Sequence, residues 1–151
     1  MNFSLDITLK TRKIMYHFLD TLSLEQLNTI PKGFTNNVFW NVKHCIVVHQ
    51  MLVYGLSNLP LHISAEEVAG YKKGTKPEGD VSEVEVEICK KQLFDLLKQT
   101  EIDLANKAFT TYKEYTVTTN TTLTNVQQAI EFNNFHEGIH LGYAMALMKC
   151  I

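Results

Sequence analysis

Two histidines four residues apart, His136 and His140, are the side chains whose type and spacing most directly suggest chemistry. On a helix, positions i and i+4 lie about 40° apart around the axis, so both rings project to one side and can meet one metal ion. Ala129, Phe132, Tyr143 and Leu147 share that arc, which predicts an inward-looking face. Imidazole nitrogens on a buried face need partners, and a divalent metal satisfies two of them at once. A pair of hydrogen-bonded core histidines is the competing reading of the same spacing.

The string His136-Glu137-Gly138-Ile139-His140 also has the H-E-x-x-H form, which in zinc proteases sets two ligands and a general-base glutamate on one helix. Two features oppose a protease. The segment after His140, LGYAMALMKCI, holds no His, Asp or Glu to complete the site, and Ala146 stands where the metzincin pattern needs its third histidine. Glu137 lies about 100° from His136, either flanking the site or facing solvent. A third ligand must therefore come from upstream. His44 shares its helix face with Trp40, Val47, Val48 and Met51, and His49 shares the opposite side with Val42, Cys45, Ile46, Val53 and Leu56. Both faces are apolar, so periodicity does not choose between them. The two rings are about 140° apart around the helix, too far for both to reach one ion.

The elements that must position these residues follow from capping signals. Ser23 to Gln26, Ser82 to Glu85 and Thr124 to Gln127 each have the capping-box form, and Asn36 or Asn37 can cap the segment that starts at Val38. Helices are predicted at about 4–20, 23–28, 37–57, 82–107 and 124–149. The stretch 58–81, rich in Gly and Pro, reads as one long irregular crossover. The Thr- and Tyr-rich stretch 110–123 favours an extended segment with room for a short hairpin. Four long helices in a chain of 151 residues bury their stripes most simply as an all-α four-helix bundle, a single domain over 1–151.

Composition narrows the function. Fourteen Lys and Arg against sixteen Asp and Glu give a net charge of −2, so nothing favours nucleic acid or an anionic membrane as partner. Three scattered cysteines without a C-x-x-C suggest neither a disulfide framework nor a thiolate zinc site and fit a reducing compartment. The start of the chain carries charges before any apolar run of signal-peptide length, and no apolar stretch reaches the roughly 20 residues of a membrane span. A cytoplasmic protein is expected. Lys72, Lys73 and Lys76 read as a solvated loop, the alternative being a cluster that guides an anionic substrate.

The segments NNVFWNVKHCIVVHQ, with Trp40 four residues before His44, and FHEGIHLGYAMAL, with His136, His140 and Gly142, resemble the second-helix and last-helix patterns of the DinB-like (DinB/YfiT-like) superfamily. The resemblance implies a four-helix bundle of up-down-down-up type with one long crossover and a short extra helix, commonly a homodimer. It implies a divalent metal, nickel or zinc, held by His44, His136 and His140, and so prefers His44 to His49 by analogy. The implied activity is that of a metal-dependent enzyme acting on a small molecule, either a transferase that uses a low-molecular-weight thiol or a hydrolase. Glu137 and Tyr143 are the catalytic candidates. Tyr143 departs from the family, where Gln often follows the H-x-G, and this departure leaves a non-catalytic binding or dimerisation module as the alternative.

Overall fold

Asn2 opens the first helix, α1 (Phe3–Thr21), by accepting a hydrogen bond from the Leu5 amide. The computed structural model describes residues 2–151. The capping boxes at Ser23 and Ser82 both form, starting α2 (Leu24–Asn28) and α5 (Glu83–Ala105). Of the two asparagines before α3 (Val38–Val53), Asn37 is the cap, accepting from the Trp40 amide. Asn36 instead accepts from the Asn41 side chain. α3 ends short of the predicted 57, continuing as a 3-10 turn over Gly55–Ser57.

Two predicted details change. The last helix, α6 (Val126–Leu147), is capped by Asn125, which accepts from the Gln128 amide. Thr124 is not the cap; its amide and hydroxyl both donate to the Gln128 side chain, so the predicted box is displaced by one residue. The crossover is not wholly irregular, because Ser64 and Glu67 form a capping box that starts α4 (Ala65–Tyr71). The S-x-x-E signal was present in the sequence, but α4 is amphipathic over too few turns to show a period. In the Thr- and Tyr-rich stretch, β1 (Tyr115–Thr116) and β2 (Thr122–Leu123) pair antiparallel, with Tyr115 opposite Leu123.

The four long helices close on one another as expected for an all-α bundle. α3 lies along α6, α6 along α1, α1 along α5, and α5 against α3, while α4 rests on α3. No helix is long and apolar enough to cross a membrane. The core is divided in two. One apolar cluster contains Met15, Phe18, Ile46, Leu93 and Leu147; the other contains Leu5, Leu52, Leu97, Ala129 and Ile130. Between them along α1, α3 and α6 fall the buried polar residues Arg12, His49, Asn133 and Glu137. Arg12 donates from Nη2 to Glu137 Oε1 at 2.8 Å and from Nη1 to the Leu93 carbonyl at 3.1 Å. Asn133 donates to the same glutamate at 2.8 Å. A charge pair sealed in this way satisfies both partners where water does not reach.

Candidate metal centre

α3 and α6 form the most extensive helix pair, and the three histidines meet across it. Ring centroids are 4.5 Å apart for His44 and His140, 4.6 Å for His136 and His140, and 5.1 Å for His44 and His136. One ligand nitrogen from each lies within 4.8 Å of the other two. Three imidazole nitrogens converging at this spacing can hold one divalent ion. The tie between His44 and His49 is thereby resolved in geometry, because His49 stays in the polar layer of the core.

Two of the three rings are oriented by neighbours. His44 Nδ1 meets the Tyr71 carbonyl, which only accepts, so the proton sits on Nδ1. His140 Nδ1 lies 2.8 Å from Asn41 Oδ1. The Asn41 amide group already donates to Asn36 Oδ1 and the Asn37 carbonyl, which turns its oxygen toward His140 and places a proton on that Nδ1 as well. Each ring therefore keeps Nε2 as its lone-pair nitrogen. His136 Nδ1 is buried with no hydrogen-bond partner among the described residues, so no described neighbour orients this ring. Trp40 stacks on His44 at 4.6 Å and 13° between planes, restricting the ring further.

Electrostatics agrees with a ligand role. Burial first, and then the neighbouring imidazoles, hold His136 down at about 3. Burial and His44 hold His140 down at about 4. Burial also lowers His44, against the opposing pull of its Tyr71 hydrogen bond. Neutral imidazoles are the form that binds metal. Asn41 was not among the residues singled out by spacing, since a lone asparagine inside an apolar helix carries no ligand signal. Asn41→Leu is expected to weaken zinc or nickel affinity about 10–100-fold with the fold intact, as loss of an orienting partner does. Titration of metal into the purified variant, with circular dichroism as the folding control, measures this.

The cluster forms one wall of an open cavity of about 580 Å³, whose other walls are mainly apolar and include Val48, Leu52, Phe132 and Phe135. The crossover contributes Lys73 and Gly74, and the hairpin contributes Tyr115 to Thr119 at separate points. The two catalytic candidates lie elsewhere. Glu137 neither flanks the cavity nor faces solvent; it is fully buried on Arg12, on the core-facing side of α6. The most deeply buried face of α6 is that of Ile130, Asn133, Glu137 and Ala144, with the histidines at its border. Tyr143 packs edge-on against Phe34 and does not line the cavity. His49 is a buried core histidine, and neither ring nitrogen has a hydrogen-bond partner among the described residues. Burial, and secondarily Arg12, keep it well below the ordinary imidazole range and hence neutral.

A family model for the DinB superfamily matches residues 8–144. The chain belongs to that superfamily. No curated protein matches it.

Proposed function

We propose that this member of the DinB superfamily is a metal-dependent enzyme that acts on a small molecule, with His44, His136 and His140 holding a divalent ion, nickel or zinc. The observation that carries the reading is the convergence of three neutral imidazoles on the wall of an open cavity. Three protein ligands leave coordination positions open, which is the pattern of a catalytic rather than a structural site. A divalent ion supplies Lewis-acid chemistry there, lowering the pKa of a coordinated water or thiol.

Of the two reactions the superfamily suggests, thiol transfer is the better supported. No carboxylate is among the described residues lining the cavity, so a water nucleophile has no side-chain base of that kind. A thiol, with an ordinary pKa about 7 units below that of water, needs less assistance. None of the three cysteines lines the cavity either, so the thiol arrives as a co-substrate. Tyr71 and Asn41 orient two of the ligands, and the apolar wall excludes water from the reacting groups. The second reading, a bundle without catalytic metal, is favoured by the removal of Glu137 and Tyr143 from the cavity.

Thermal unfolding separates the two. Free zinc or nickel at about 100 times its dissociation constant stabilises by about 2.7 kcal/mol, which raises the melting temperature of a chain this long by about 5–10 °C. Metal-dependent consumption of a low-molecular-weight thiol with a panel of electrophiles, abolished by chelation, supports the transferase. A melting temperature indifferent to both metals supports the non-catalytic bundle.

A further inference from the structure

The cavity beside the histidines has an uneven chemistry that bears on its ligand. Eighteen of the described residues line it, and Lys73 is the only Lys, Arg, Asp or Glu among them. Much of the remaining wall is apolar: Val48, Leu52, Leu56, Phe132, Phe135 and Ile139. Its volume of about 580 Å³ is of the size that encloses a small organic molecule. Phe135 and Ile139 are each more than half exposed, although a helix face with no role gains nothing by presenting them to water.

Lys73 is exposed and is tethered by one side-chain hydrogen bond. It lies in the connection from α4 to α5, followed by Gly74 at φ +87°, a backbone turn that favours glycine. Its Nζ donates to Thr118 Oγ1 at 2.9 Å, linking the crossover to the hairpin turn. Two segments distant in sequence thus meet at the cavity and carry its one charge. An ammonium has three donors, and Thr118 is the one side-chain partner described for it. The remaining donors are available to an anion. No negative side chain lines the cavity to compete for them.

We propose that the substrate taken by this cavity is an organic acid with an apolar body and a single anionic group, the body lying on the α3 and α6 wall and the anion on Lys73. The proposal rests on the reading that the cavity is the substrate site. An organic cation meets Lys73 as a like charge, and a neutral alcohol of equal length fills the wall without using the ammonium. Apart from the ion proposed at the histidines, a multiply charged phosphate ester has one cation to face and an apolar wall that cannot solvate the rest.

Octanoate, 1-octanol and octylammonium form a matched probe set for this arrangement. Binding is measured by calorimetry, with fluorescence of Trp40, the single tryptophan and part of the lining, reporting occupancy of this cavity. The set is run on wild-type, Lys73→Met and Lys73→Arg protein, each with and without zinc. Octanoate is expected to bind about 5-fold more tightly than 1-octanol, the upper end for an exposed ion pair, and octylammonium more weakly than either. Lys73→Met removes the preference while leaving 1-octanol unchanged, and Lys73→Arg keeps it. Equal binding of acid and alcohol, no heat from octanoate, or a preference that survives Lys73→Met overturns the proposal. A preference that needs zinc and survives Lys73→Met assigns the anion to the metal, so the metal reading stands and this one falls. A preference that depends on Lys73 in protein that binds no zinc has the opposite outcome.

Discussion

Glu137→Ala is expected to cost about 3–5 kcal/mol of folding stability, the largest effect of any single substitution considered for this chain. In a protein of this length that lowers the melting temperature by about 6–20 °C. The reason is asymmetry. With the carboxylate gone, the Arg12 guanidinium remains fully buried, keeping the Leu93 carbonyl but no counter-charge. The Asn133 amide also loses its acceptor. The double variant Arg12→Met, Glu137→Leu removes both charges and is expected to recover most of the loss, since apolar replacements of similar volume often equal a buried pair. Urea unfolding of the three proteins measures the cycle. The same variants test the catalytic role suggested by H-E-x-x-H. A general base lost from the site would abolish turnover while sparing stability; a buried partner of Arg12 gives the reverse, and zinc binding by the folded Glu137→Gln protein is expected to stay within about 2-fold of wild type, because the carboxylate is not oriented toward the imidazoles.

His136→Ala is expected to lower metal affinity more than Asn41→Leu does. One of three ligands is lost, so the fall should exceed the roughly 100-fold upper limit for loss of an orienting partner. His44→Ala and His140→Ala should behave alike, whereas His49→Ala should not affect binding. Competition with a chromophoric chelator measures all four. The pH dependence has a definite sign. Protons compete for the ligand nitrogens only as pH falls through their folded values, which burial holds at about 3 for His136 and about 4 for His140. Wild-type protein should therefore keep its ion at about pH 5, where imidazoles of ordinary pKa near 6.5 have already protonated, and release it on further acidification. Release already at pH 6.5 would contradict the burial argument.

The helix starts at Ser23 and Ser82, the i,i+4 pair and the short hairpin were legible because each depends on neighbours within a few residues. Thr124 shows the limit of such signals. Thr124 and Asn125 are both good caps, and the choice between them depends on how the hairpin enters α6. α4 was hidden for a related reason: in isolation, one capping box followed by two turns does not differ from a loop.

Glu137 marks the deeper limit. Hydrophobic periodicity places charged residues outside, and by that rule a glutamate beside a histidine belongs to a site or to solvent. The rule has an exception when a cation on another helix arrives at the same depth. Arg12 lies in line with Leu5, Thr8, Met15 and Leu19 on the buried stripe of α1; that apolar spacing was the available signal for a buried anion, and it was not read in the sequence.

By its order of residues alone, the chain determined its long helices, its bundle architecture and the two rings on α6 that share a side, since these follow from backbone hydrogen bonding and 3.6-residue geometry. Only the tertiary structure decided that His44 rather than His49 joins them, that Glu137 serves the core, and that Lys73 is the one charge at the cavity. Each of those depends on the rotation of one helix against another, or on where a loop crosses it, and the packing of the whole core sets that rotation.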